Sequence, residues 1–232
     1  SHQLVLGYDN SIAPNTRIKT EVYYQHVYDV PVESVPSSYS MLNYGAGWGI
    51  NTSDYLVNEG TGKNYGVELT LERFFSKNYY YLVTLSLFDS KYKGSDGIER
   101  NTAFNGNYVS NVLFGREFTL NNKSALNIDL KVSYAGGKRY TPVDFTASQN
   151  SGSTVYDDTK AYSMQFDPFF KADFKIGYRV SGKKVSQEWV FYIENLTDHA
   201  NVLAQVYSRS KNEVSNVNQL GFFPMMQYRI HF

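Results

Sequence analysis

Cysteine is missing from all 232 residues, so neither a disulfide framework nor a thiolate metal site is available to this sequence. Histidine is scarce: His2, His26, His199 and His231 are scattered and form no H-x-x-x-H or H-E-x-x-H pair. There is no G-x-S-x-G elbow and no glycine-rich phosphate loop, so no catalytic residues and no cofactor are expected. Charge of neither sign prevails. With 22 basic and 22 acidic residues, no broad field draws the chain to nucleic acid. No run approaches the ~20 apolar residues of a spanning helix, no segment keeps a helical period, and no signal peptide is visible at the start. Ser1-His2 reads as a tag remnant or as the start of a piece of a longer protein. The second is expected, because Gln3 to Tyr8 already has the character of a strand.

Aromatics, by contrast, are abundant: 21 Tyr and 15 Phe, 16% with tryptophan. Tyrosine favours strands and also the membrane–water interface. Side chains alternate over long stretches, and successive residues of a strand point to opposite faces. Tyr65, Val67, Leu69 and Leu71 oppose Gly66, Glu68, Thr70 and Glu72. Leu126, Ile128, Leu130, Val132 and Tyr134 oppose Asn127, Asp129, Lys131 and Ser133. Phe170, Ala172, Phe174, Ile176 and Tyr178 oppose Lys171, Asp173, Lys175 and Arg179. At the end of the chain Met226, Tyr228, Ile230 and Phe232 oppose Gln227, Arg229 and His231. One face is apolar and the other carries charges of both signs. Nine strands are expected, at about 3–11, 16–29, 63–76, 78–92, 107–120, 123–137, 167–181, 186–199 and 220–232.

The connections alternate in length. Short turns near Pro14-Asn15, Lys77, Asn122 and Lys183 are interleaved with long stretches at 30–62, 93–106, 138–166 and 201–218. An up-and-down barrel places every second connection on the same side, and outer-membrane barrels have short periplasmic turns and long extracellular loops. A mean hydropathy of −0.43 is compatible with such a barrel, whose strands are half apolar. The expected fold is therefore all-β, an antiparallel up-and-down transmembrane barrel. In this phase the chain ends on the periplasmic side.

Several motifs resemble the C-terminal barrel half of TonB-dependent outer-membrane receptors of the Bacteroidetes type. They are Gly7-Tyr8-Asp9-Asn10, Ile18 to Gln25 followed by Val30-Pro31-Val32, Asn64-Tyr65-Gly66-Val67-Glu68-Leu69, Tyr81 to Ser90, Gly136 to Asp144 and Ile193-Glu194-Asn195-Leu196-Thr197-Asp198. The terminal Phe232 completes the order. The resemblance implies a 22-stranded barrel in the bacterial outer membrane, of which residues 1–232 would be the C-terminal segment. The plug domain and the N-terminal strands would be missing. It further implies import of a scarce ligand (siderophore, cobalamin, glycan or peptide) with energy from a TonB complex. The partners would be outer-membrane lipid, the plug, TonB and the barrel-assembly machinery, with a surface lipoprotein in the glycan case. Tyr228, Ile230 and Phe232 would form the insertion signal. Glu68, Glu72, Lys131, Asp173, Lys175 and Arg229 would face the lumen.

Two other classes fit the same alternation: a passive porin or small structural barrel, and a secreted soluble β-sandwich binding module. Ligand recognition is expected in the long loops, where glycine gives mobility and aromatics give contact area. In the first loop Tyr39, Tyr44, Trp48 and Tyr55 are the candidates. Asp144, Asp157 and Asp158 in the third loop invite calcium, but their spacing matches no ligand motif, and no metal is expected.

Overall fold

Alternating stretches joined by tight turns form a meander. A computed structural model describes residues 1–46 and 55–232 of the chain. Its strands are β1 (His2–Ala13), β2 (Thr16–Glu33), β3 (Leu56–Ser76), β4 (Tyr79–Lys93), β5 (Glu99–Asn101), β6 (Tyr108–Asn121), β7 (Ser124–Ala135), β8 (Arg139–Tyr140), β9 (Met164–Gln165), β10 (Phe169–Ser181), β11 (Ser186–Glu194), β12 (Val202–Ser208), β13 (Glu213–Asn218) and β14 (Phe223–His231). Nine of them pair antiparallel in chain order into one sheet, β1–β2–β3–β4–β6–β7–β10–β11–β14, and the short β5 adds to the end of β4. These nine are the strands read from the alternation. β1 and β14 are the sheet's two edges and are not paired to each other. The all-β antiparallel meander thus stands as expected.

Four tight turns lie at one end of the sheet. Lys77 and Asn78 both have positive φ, 53° and 65°, the signature of the type I′ turn whose twist suits a two-residue hairpin. The described residues of the four long connections, 34–55, 94–107, 136–168 and 195–222, gather at the other end. They hold more structure than the sequence announced. The third contains β8, β9 and the helix α1 (Phe145–Ser151), which Asp144 caps by accepting a hydrogen bond from Ala147 N at 2.9 Å. The fourth contains the hairpin β12–β13.

The pairing register orders the apolar face into rows. One runs Leu6–Val22–Val67–Leu87–Tyr108. A second runs Ile18–Leu71–Val83–Val112–Val132. A third, nearer the tight turns, is Phe118–Leu126–Tyr178–Trp189–Tyr228. Nothing among the described residues covers this face. Leu6 is 76% exposed, Val67 43% and Met226 78%. A water-soluble sheet would bury such a face, at roughly 25 cal/mol for each Å² removed from water. Of the well-buried apolar residues among those described, Val30, Val32, Tyr92, Ala103 and Ala161 lie at the loop end, and Ala125, Ala172 and Val190 within the sheet. The packed core of this chain lies largely under its loops.

The opposite face is polar and laced with ion pairs: Lys175–Asp129 at 2.9 Å, Arg179–Glu117 at 3.0 Å, Lys171–Glu194 at 2.8 Å and Arg229–Glu188 at 3.4 Å. Several partners are half exposed, so each pair contributes at most about 1 kcal/mol. Tyr80 lies across Gly115 to donate to Asp129 Oδ1 at 2.7 Å. A Cβ at residue 115 would overlap both that ring and the carboxylate, so any larger residue there must displace the Tyr80–Asp129 pair.

Candidate ligand-binding cleft

The loop end is shaped by contacts among all four long connections. Tyr92, at the top of β4, donates to Ser38 O at 2.9 Å and ties the first loop down. Asn43 Oδ1 accepts from Ala103 N at 2.9 Å and joins the first loop to the second. Arg139 joins the second to the third, donating to Asn105 O and to Asn107 Oδ1, both at 3.1 Å. Tyr156 Oη donates to Gln205 O at 3.3 Å, and Thr154 Oγ1 accepts from Tyr207 N at 3.0 Å, which fixes the β12–β13 hairpin to the third loop.

Between these loops lies an open cleft of about 850 Å³. That volume falls within the range of small-ligand sites, roughly 300–1,000 Å³. Its walls come from Tyr39, Ser40, Asn43 and Tyr44 of the first loop and from Asp96 and Arg100 of the second. The third supplies Arg139, Tyr140, Tyr156, Asp158, Tyr162 and Phe166, and the fourth Gln205. Tyr140 and Phe166 stack face to face, centroids 3.9 Å apart, and Tyr162 packs edge-on against Tyr92 at 6.1 Å. Tyr162 has φ 53°, the left-handed region that a bulky residue rarely enters. Such strain is held in place by surrounding packing and concentrates at ligand sites.

The basic groups of the cleft are already engaged. Arg100 grips Asp96 through two bonds, 2.9 and 2.7 Å, with both side chains mostly buried. Lys138 Nζ donates to Ala46 O at 3.2 Å. The carboxylates of Glu33 and Asp158, both lining the cleft, have no ion pair among the described residues. Burial first, then the charges of Asp157 and Glu33, pushes the Asp158 carboxyl above its ordinary range. The cleft therefore offers aromatic faces, hydroxyls and uncommitted acceptors, which suit a ligand rich in hydrogen-bond donors better than an anion.

Comparison with protein-family models, curated proteins and solved structures returned no match. The site is accordingly read from its own residues. Of the first-loop candidates, Tyr39 and Tyr44 line the cleft. Tyr55 is not part of the cleft lining and is 77% exposed, and Trp48 lies outside the described residues. Two of the three acidic residues of the third loop have structural duties: Asp144 caps α1, and Asp157 caps the next turn and pairs with Lys160 at 2.9 Å, whereas Asp158 lines the cleft. Glu68, Glu72, Lys131, Asp173, Lys175 and Arg229 all stand on the polar face of the sheet. Lys131 sits across from Asp173, and the buried Asp173 accepts from Asn195 N at 3.0 Å. Tyr228 and Ile230 belong to the apolar face of β14, and Phe232 is fully exposed beyond it. The residues that sequence reasoning missed are Tyr140, Tyr156, Tyr162 and Phe166. The tyrosine density of the third loop was the available signal.

The Arg100–Asp96 pair gives the cleft an acid dependence. Hydrogen bonding from Arg100, the largest influence, holds the Asp96 carboxyl below its ordinary range. A depressed folded-state pKa contributes stability above the unfolded value, lost as pH falls through the folded one. Arg100→Gln should cost the loop assembly roughly 2 kcal/mol at neutral pH. It should also move the acid midpoint of the near-ultraviolet tyrosine dichroism upward. An unchanged midpoint would show that the pair does not hold the loops.

Proposed function

We propose that this chain forms part of the wall of a bacterial outer-membrane β-barrel receptor. Its apolar face meets lipid, its charged face lines the lumen, and its folded loops form an outer ligand-binding cap. The observation that carries this reading is the uncovered apolar face, edged on the tight-turn side by the row Phe118–Leu126–Tyr178–Trp189–Tyr228. Between Tyr108 and Phe118 on β6 there are ten residue steps. These span ~33 Å along the strand, or about 25 Å of membrane height at a tilt near 40°. That height suits an outer-membrane apolar band. A soluble sandwich would need a second sheet over this face, and none is present among the described residues.

Closure requires further strands to pair with β1 and β14. The resemblance to TonB-dependent receptors supplies them in a 22-stranded barrel, together with the plug, TonB-driven import and recognition of Tyr228, Ile230 and Phe232 by the assembly machinery. The cleft favours a neutral or donor-rich cargo. The test is folding of the full-length protein into phosphatidylcholine vesicles, followed by heat-modifiable migration on electrophoresis. A protein that stays monomeric and folded in water without detergent would sink the reading. Steady ion conductance by the full-length protein would replace the receptor with a porin.

A further inference from the structure

We infer that the outer face of the sheet carries a binding site for phosphate groups of outer-leaflet lipid, just loop-ward of the apolar band. The inference rests on the barrel reading and adds a specific lipid contact to it. The register stacks three rows on the exposed side of β1 to β4. The aliphatic row Leu6–Val22–Val67–Leu87 comes first. Two residues nearer the loops is Leu4–Tyr24–Tyr65–Asp89. Two residues further is His2–His26–Lys63–Lys91, which reaches Asn101 of β5. Lys93 continues this side of β4, across from Thr61 and Glu99. The order from aliphatic to tyrosine to lysine matches the passage from hydrocarbon through interface to charged headgroup.

The lysines converge on a depression of about 210 Å³ lined by His26, Lys63, Lys91, Lys93 and Glu99. Glu99 is shared, 2.7 Å from Lys63 Nζ and 3.9 Å from Lys91 Nζ. Asp89 lies 3.6 Å from Lys91 but also accepts from Tyr65 Oη at 2.8 Å and Asn105 Nδ2 at 2.6 Å, so its charge is divided. Glu59 stands two residues beyond Thr61 on β3. Lys93 makes no ion pair among the described residues. A phosphate monoester, with close to two charges and three acceptor oxygens, can bridge Lys63, Lys91 and Lys93 with one more acceptor oxygen and more charge than the shared Glu99 carboxylate supplies.

The test uses the full-length protein in vesicles of phosphatidylcholine with a minor fraction of phosphatidic acid. The protein is then extracted in neutral detergent and its bound lipid quantified by mass spectrometry. Phosphatidic acid should be enriched roughly five-fold over its vesicle fraction, the factor expected of one basic residue beside an anionic surface. Oleate, anionic but without phosphate, should not be enriched. The combined Lys63→Gln, Lys91→Gln and Lys93→Gln variant should return phosphatidic acid to its vesicle fraction, and the corresponding arginine variant should retain the enrichment. Lys93→Gln alone breaks no ion pair, so it keeps the strand pairing and should still lower the enrichment. Absence of enrichment in the wild type, equal enrichment of oleate, or full enrichment in the glutamine variants would each overturn the phosphate site. Failure to insert into pure phosphatidylcholine is scored first and overturns the barrel reading instead.

Discussion

Val112→Arg should lower, by about a fifth to two-fifths, the urea midpoint at which the full-length protein unfolds from lipid vesicles. Val112 lies near the middle of β6 in the row Ile18–Leu71–Val83–Val112–Val132, and its side chain is 39% exposed. The two readings of that exposure predict opposite outcomes. In water, an arginine on a half-exposed strand position costs a few tenths of a kcal/mol at most. At the midplane of a bilayer the same guanidinium costs about 2–4 kcal/mol. A deficit of that size, set against a stability of order 10 kcal/mol, leaves the protein folded without denaturant but lowers its urea midpoint by about a fifth to two-fifths. Ser86→Lys on β4 is the matched control. Ser86 belongs to the polar face directly across from Glu68, so a new ammonium there gains a partner. It should fold nearly as well as the wild type. Equal behaviour of the two variants would remove the membrane from the interpretation.

The sheet was legible because its physics is local. A strand with lipid or water on one side and a charged surface on the other must alternate, and β7 and β10 do so with few exceptions; β6 departs at Val109, Leu113 and Arg116, whose guanidinium lies over the Phe118 ring, and β14 at Phe223 and Met225. The boundaries slipped where that constraint ends. β3 begins at Leu56 rather than near 63, and β2 runs on to Glu33, because their upper halves are packed under the loops. There Val30 and Val32 are buried on a stretch interrupted by a bulge, and the two-residue period disappears. The Asn195 motif was visible as a pattern but not as a mechanism. Asn195 takes a left-handed φ of 49° and donates its side-chain amide to His199 O at 2.9 Å and Leu220 O at 3.4 Å. It thereby pins both ends of the fourth loop.

The cleft was only partly legible, for a different reason. Loop residues meet through contacts that no period records. Tyr140 finds Phe166 through the β8–β9 pairing, and Gln205 reaches Tyr156 only because the β12–β13 hairpin folds against the third loop. Reading one loop at a time singled out Tyr39 and Tyr44 as candidate ligand contacts, and both line the cleft, but the neighbouring loops that complete its wall could not be assigned to it. The sheet and the loop assembly are thus governed by separate constraints, and they should fail separately.

Gly136→Val tests that separation. Residues 136 and 106 belong to different loops, and their backbones touch: a Cβ at residue 136 would overlap the carbonyl oxygen of Gly106. The requirement is close approach rather than an unusual φ, since Gly136 is not among the glycines with positive φ. Backbone cannot move aside as a flexible side chain can, so the second and third loops must separate, at a cost of about 3 kcal/mol or more. Separation breaks the bonds from Arg139 to Asn105 O and Asn107 Oδ1 and withdraws one wall of the cleft. The sheet should survive, because β6 and β7 remain paired from Val109 and Ala135 down to the tight turn. The variant should therefore insert into vesicles like the wild type, lose near-ultraviolet tyrosine dichroism, and become susceptible to protease within 94–107 and 136–168. Gly177→Ala is the control, because a Cβ there meets no atom closer than 3.8 Å. It should leave insertion, dichroism and protease resistance unchanged. If Gly136→Val instead prevents insertion, the loops are a condition for forming the sheet and not an independently packed cap upon it.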